Sequence, residues 1–387
     1  MNKAHLAYLS LVTLCACSES DPSPPTGPAL GQSAAQEPIG AATQPVDPAG
    51  PVQQPAAVVV SPAPATDEPA IPAQPPAVPP PAMEQPPAAP PAMEQPPPVV
   101  PPEDPPPAEP STWGEKFCPA GPFNEAPLPD NLDVVEIANN GKNIEGPIWL
   151  AEQETLLYCS RGGKSDRNGY DVMQWTQQGG AEFFMEGPHC CGFSFFPGGD
   201  LLVAQGRLPG NYQVGRLNLE TKEITKFADV PDGEGPNDIA TTVSGATFTQ
   251  SFSNALERVD KDGNVERIGR SNANGITLSP DERTLYITDG QIRSYDLDEQ
   301  GNIVDGPKNF GPGGTGGMAV DCAGNVYAAN GGEVVVHAPN GDKIGAIGRL
   351  TRPSNVAFGG PDQKTLFITG FEGHVWTVQL GIPGLPY

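Results

Sequence analysis

The sequence predicts an all-β fold, a six-bladed β-propeller preceded by a disordered Pro-rich linker. Three observations predict it. A line of alternating apolar residues, broken by a turn of Gly, Pro, Asp or Asn, recurs six times within residues 112–387. Equivalent positions in the copies, Gly146, Gly192, Asp238, Gly275, Gly317 and Asn355, lie 46, 46, 37, 42 and 38 residues apart, close to the blade period of about 40 to 50 residues. The chain ahead of them contains a long stretch without the residues a core requires.

Taken in order, residues 1–17, MNKAHLAYLSLVTLCAC, combine a positive start at Lys3, a short apolar run from Leu6 to Leu14 and a small residue before the final Cys. The run is too short to span a bilayer and reads as a secretory signal. Leu14-Cys15-Ala16-Cys17 resembles the bacterial lipobox. That resemblance implies lipidation of Cys17 and a place in the bacterial cell envelope, with Ser18 favouring the outer membrane. An ordinary signal peptide with chance cysteines is the competing reading.

Residues 18–111 hold no Lys, Arg or aromatic residue, and PAMEQPP occurs twice, at 81–87 and 91–97. Such a tract cannot bury a core and favours extended polyproline conformation; at about 3.1 Å per residue its stretched reach is on the order of 290 Å. It is expected to act as a tether, with a polyproline-recognition ligand as the functional alternative. From 112 onward the chain carries 35 acidic and 20 basic residues, a net charge near −15. Nucleic-acid binding is disfavoured, because it calls for a basic stripe, and the acidic balance suits solubility and cation capture.

The six copies begin EGPIWLAEQETLLYCS at Glu145, CCGFSFFPGGDLLVAQG at Cys190, PNDIATTVSGATFTQ at Pro236, ANGITLSPDERTLYITDG at Ala273, GGMAVDCAGNVYAANG at Gly316 and PSNVAFGGPDQKTLFITG at Pro353. Each shows period-two alternation on both sides of a turn, followed by a third alternating run, so each is a meander of three or four strands. One such sheet cannot cover both of its faces, and six packed radially can. Leu132 to Ala138, LDVVEIA, is expected to complete the last blade beside HVWTVQL and so seal the ring. A double sandwich would also be all-β but gives no reason for a sixfold line.

In a propeller the starts of the innermost strands converge on one mouth of the central channel. Aligned there are Glu145, Cys191, Asn237 with Asp238, Asn274, Gly316 and Asn355. Their carboxylate and amide oxygens are the donors that calcium takes, six to eight at about 2.3 to 2.6 Å. Capping of backbone groups at strand starts is the ligand-free alternative.

The lines EGPIW, PND, NGITLSPDERTLYITD, GGMAVDCAGNVYAA and PSNVAFGGPDQKTLFIT resemble those of the gluconolactonase, regucalcin and luciferin-regenerating-enzyme family of six-bladed propellers, over roughly Leu132 to Leu380. The resemblance implies a divalent metal, calcium first and zinc second, that polarises the carbonyl of a sugar lactone for attack by water. It further implies that Glu145, Asn274 and Asn237 hold metal and that Asn237 contacts substrate, with Asp238 matching the acidic residue beside it; because the family's usual base is missing, Asp238 or Glu145 is expected to serve as the catalytic carboxylate. Two positions depart from the pattern: Gly316 stands where the family has a metal-binding Asp, and Gly235 where an Arg is common. Loss of that carboxylate weakens a calcium site toward about 10⁻⁴ to 10⁻³ M, and loss of a general base removes about 10² to 10⁴ in rate. The expected function is metal-assisted hydrolysis of a sugar lactone or similar cyclic ester, in a monomer that meets the membrane only through its lipid anchor. The alternative is a non-catalytic surface propeller that binds a small ligand or a protein.

Beyond the signal the cysteines are Cys118, Cys159, Cys190, Cys191 and Cys322. Five is odd, so at least one is free or pairs between molecules. Cys159 with Cys190 or Cys191 is the expected bridge in an exported chain. His189 beside two cysteines lacks the remaining ligands of a zinc site, and His337 and His374 read as packing or surface residues. Trp149, Trp175 and Trp376 are expected between blades.

Overall fold

The structure, a computed structural model, describes residues 110–387 except 162–169, 188–189, 207–211, 231–234, 252–253 and 272–273; the side chains at 190 and 191 also lie outside the description. The signal, Cys17 and the tract up to residue 109 fall outside it, as does His189.

Six four-stranded antiparallel sheets form the expected blades. Blade one is β2 (Lys142–Leu150), β3 (Thr155–Arg161), β4 (Tyr170–Thr176) and β5 (Gly180–Glu186); blade two is β6 (Cys190–Phe195), β7 (Leu201–Gln205), β8 (Gln213–Leu217) and β9 (Ile224–Asp229). Blade three is β10 (Pro236–Thr241), β11 (Thr247–Ser251), β12 (Ala255–Val259) and β13 (Val265–Arg270). Blade four is β14 (Ile276–Leu278), β15 (Thr284–Thr288), β16 (Ile292–Leu297) and β17 (Ile303–Gly311). Blade five is β18 (Met318–Val320), β19 (Val326–Asn330), β20 (Glu333–His337) and β21 (Lys343–Ile347). Blade six joins β22 (Pro353–Gly359), β23 (Thr365–Gly370) and β24 (His374–Gln379) to β1 (Val134–Asn139), which arrives from the other end of the folded chain. Val134 pairs with Val378 and Glu136 with Trp376, so the ring closes as the sequence predicts.

The inner strands are apolar almost without interruption because each blade buries both faces. Along β3, Leu157 packs toward blade two with Phe193 and Val203, while its neighbour Leu156 packs toward blade six with Phe367 and Val375. Successive side chains point to opposite faces, so six hydrophobic clusters arise, one at each blade interface. Each fully buried Leu or Phe contributes about 1.5–3 kcal/mol. Trp149 stacks on Phe367 of blade six, and Trp376 lies in the cluster between blades five and six.

The lower end of the channel, where the inner strands finish, is closed by both ends of the folded chain. A short helix α1 (Trp113–Phe117) starts with Thr112 as its cap, whose hydroxyl accepts from Glu115 N–H. Trp113 donates its indole N–H to the Thr241 carbonyl of blade three at 2.6 Å and its backbone N–H to the Glu282 carboxylate of blade four at 2.8 Å. The last residues run across the same end: Leu385 N–H donates to Val320 O, Gly384 N–H to Gln363 O, and Pro386 O accepts from Trp149 N–H. Trp113, Phe117, Phe195 and Tyr387 fill the space between the two segments with ring centroids 5.6–6.3 Å apart. Cys118 and Cys322 bridge α1 to the turn after β18, a pairing that sequence spacing did not indicate. Cys159 is also disulfide-bonded, and the side chains of Cys190 and Cys191, one of which was expected as its partner, lie outside the described residues.

Candidate active site at the channel mouth

The inner strands of blades one, two, three and six all lose regular register at the mouth, between Lys142, Glu145 and Ile148, between Cys190 and Gly192, between Pro236 and Ile239, and between Pro353 and Asn355. Such irregularities re-aim side chains that a regular strand would send into the blade interfaces. Gly146, with φ near +54°, supplies the left-handed backbone that the bend after Glu145 requires.

Two layers of polar groups result. In the upper one Asn237 donates its side-chain N–H to Asn274 Oδ1 at 2.7 Å, and Asn274 donates in turn to Thr315 O at 2.9 Å. Thr288 steadies this segment, its hydroxyl accepting from Gly275 N–H at 2.7 Å. The ring continues through Gly317 N–H to Ser354 O, and from the Ser354 hydroxyl to Ile144 O beside Glu145. Asn237 and Asn274 are therefore in direct contact, and Glu145, buried, stands at the other end of the same arc.

Asp238 and Asn355 form the lower layer, inside the channel. Asp238 Oδ1 accepts from Ile239 N–H at 3.0 Å and Oδ2 from Ile276 N–H at 3.3 Å, which ties blade three to blade four. The carboxylate fills the place that a side chain at Gly192 would need, since a Cβ there would lie 2.5 Å from Oδ1. Burial pushes the Asp238 carboxyl up to about 7, against the lowering effect of bonds from Ile239, Ile276 and Asn355. Below it, Asp238, Asn355, Phe193 and Tyr387 enclose a cavity of about 10 Å³, room for about one water. The channel is a well, closed at its lower end by α1 and the last residues.

Gly316 and Gly317 make the remaining contact with the well. A Cβ at Gly316 would collide with the Ser354 carbonyl oxygen, so the backbone has closed into the space that a carboxylate-bearing residue would take. Among the described residues no group of three or more His, Cys, Asp or Glu side chains is placed to hold a metal ion. The Glu145 carboxylate and the carboxamides of Asn237 and Asn274, of which only the last two are in contact, are hard oxygen donors that would suit a hard divalent cation in kind. Asn274 would first have to release the amide of Asn237 from its oxygen. Sequence reasoning missed Thr288 and Thr315, the latter because its contribution is a backbone carbonyl. His337 is buried and holds the approach to this segment, its ring nitrogens 3.0 and 2.9 Å from Gly341 O and Pro312 O.

Residues 144–372 match the family model described as SMP-30/Gluconolactonase/LRE-like region. The chain belongs to this family. Among curated SMP-30/gluconolactonase-like relatives, it is 27% identical over 300 residues to a gluconolactonase of Zymomonas mobilis, covering 64% of this chain and 82% of that one. It is 28% identical over 249 residues to the pentonolactonase XacC of Haloferax volcanii, covering 59% and 81%. Two solved structures share the fold: a gluconolactonase of Xanthomonas campestris, with TM-score 0.57, 22% identity and coverage of 68% and 98%, and a calcium-binding protein, regucalcin, of Agrobacterium tumefaciens, with TM-score 0.53, 18% identity and coverage of 64% and 94%.

Proposed function

We propose that this SMP-30/gluconolactonase-like propeller hydrolyses a sugar lactone or a similar cyclic ester in the well at its channel mouth. Asp238 carries the reading: a carboxyl brought to about 7 beneath a ring of amide groups is poised to take a proton near neutrality. The lactonases among its relatives give the substrate class. In this reading Glu145, Asn237 and Asn274 would hold a divalent cation, calcium in the first place, and Asn237 also positions the lactone. When bound, such a cation supplies Lewis-acid polarisation of a carbonyl oxygen. Asp238 accepts a proton from the water that attacks the carbonyl carbon, with Glu145 assisting; the ring C–O bond breaks and the ring oxygen is protonated to the free hydroxyl.

The test is hydrolysis of a lactone panel by the purified full chain, followed by proton release, with and without chelator. Activity with at least one lactone, reduced by chelation and by Asn274→Ala, is expected. A chain inert toward every lactone would leave the second reading, a propeller that binds without turnover. What favours that reading is Asn274, whose two amide atoms are already satisfied by Asn237 and Thr315. Gly316→Asp does not discriminate between the two, because its Cβ meets backbone; it is expected to destabilise the chain and to add no activity. We further propose that Cys17 is lipidated and tethers a monomeric propeller to the envelope, which radiolabelled palmitate incorporation into wild type but not Cys17→Ser would support.

A further inference from the structure

A second concavity among the described residues, sharing no lining residue with the mouth, lies in the wedge between blades six and one where the ring closes. It is a groove of about 1000 Å³, at the upper end of the range for small-molecule sites. Its floor is aromatic. Trp149 stacks on Phe367 at 5.2 Å, and Trp175 meets the edge of Phe367 at 5.8 Å. Trp149 and Phe367 are almost fully buried, 4% and 2% exposed, while Trp175 is only half-buried. Two packed rings thus fix the orientation of a third that faces the groove, a large amphipathic surface whose ordering is already complete.

The rim carries no positive charge, and most of its polar side chains are unspent. Gln153, Gln177 and Gln178 stand exposed on the turns of blade one, and Thr377 faces them from blade six. Across the described residues the hydrogen bonds of the fold use none of these four side chains, nor the Trp175 indole N–H. Gln379 and Thr365, on the same wall, are bonded to each other, and Gln379 also donates to Asp362. The charges on the rim are Asp133 and Glu154, and no Lys or Arg lines it. Anionic ligands are repelled. An apolar chain would strip water from donors and acceptors it cannot replace. A ligand with apolar C–H faces and many hydroxyls, and without negative charge, satisfies both floor and rim.

We propose that this groove is a binding site for a neutral saccharide chain, with Trp175 as the stacking platform and Gln153, Gln177 and Gln178 as its hydrogen-bonding rim. It is separate from the mouth and does not depend on catalysis there.

The experiment titrates the full chain with neutral glucose and N-acetylglucosamine hexasaccharides, with oligogalacturonate, a Pro-rich peptide and an apolar dye as contrasts, reading tryptophan fluorescence and the indole N–H resonances. At least one neutral hexasaccharide is expected to shift the Trp175 resonance and to bind about tenfold more weakly to Trp175→Ala. Gln177→Ala/Gln178→Ala, whose exposed side chains carry no packing, is expected to weaken binding as well and to leave lactone hydrolysis unchanged. The proposal is overturned if no neutral hexasaccharide moves Trp175, if the double variant binds as wild type does, or if only the dye or the peptide binds.

Discussion

At the mouth of the channel the inner strands break register in four blades and their polar side chains turn toward the axis; at the lower end the same strands run out and are covered by α1, the last residues and four aromatic rings. Both ends bury a carboxyl that is pushed up to about 7, Asp238 above and Glu282 below. Their surroundings differ. Asp238 lines the small cavity beneath the ring of amides, whereas Glu282, held in left-handed backbone at φ near +54°, receives Trp113 N–H from the segment that seals the channel and Val243 N–H from blade three. In the proposed function the first carboxyl would take a proton from water, while the second fastens a closure. Burial is the first cause of the shift at both ends, so a raised carboxyl by itself does not mark a functional site.

The comparison breaks most visibly at Asp238. Asp238→Asn keeps the shape of the side chain and is expected to lower kcat/KM by about 10² to 10⁴. The base must be unprotonated, so wild-type activity should rise as pH rises through about 7, and that limb should vanish in the variant. A pH–rate profile unchanged by the substitution would remove Asp238 from the chemistry. At the other end, Trp113→Ala should cost about 3–5 kcal/mol in denaturant unfolding, with KM for a lactone unaffected. Replacing Cys118 and Cys322 by Ser should cost about 2–5 kcal/mol; a loss of activity without loss of stability would show that the closure acts on the mouth.

The smallest effect sharpens the contrast. Glu282 is raised from 4.5 to about 7 on folding, by burial first and then by the charges of Asp281 and Glu115, against the bonds from Trp113 and Val243. The folded chain keeps a proton that the unfolded chain gives up, so its contribution is full below about pH 4.5 and is lost as pH rises to about 7. Glu282→Gln should flatten that part of the stability curve, seen as melting temperatures at pH 5 and pH 8 drawing together, without moving the activity profile.

The mouth was legible in the sequence because its residues sit at equivalent places in a repeat: once Gly146, Gly192, Asp238 and the rest are aligned, Glu145, Asn237 and Asn274 follow. Contacts outside the repeat left no such trace. Cys118 and Cys322 are 204 residues apart, and nothing periodic links a pre-blade segment to the fifth copy. α1 had a local signal, since Thr112-Trp113-Gly114-Glu115 has the spacing of a capping box, but it sits at the end of a Pro-rich tract. Glu282 reads as part of an ordinary Pro-Asp turn; only the packing of Trp113 against it makes it a buried acid. The fate of the family's metal carboxylate was half legible. Gly316 is plain in the sequence, and the close approach of the Ser354 carbonyl that leaves no room for a side chain there is not.

Blade six takes three strands from the end of the chain and one from before blade one. While the polypeptide is being made, Val134–Asn139 has no partner until His374–Gln379 emerges. Most of the domain must therefore wait in a half-built, sticky state, and closure is a slow, nonlocal event. Clipping a few residues from either side of that seam should cost far more than deleting a surface loop, and a permuted gene whose new termini fall elsewhere would move the waiting strand to a different blade.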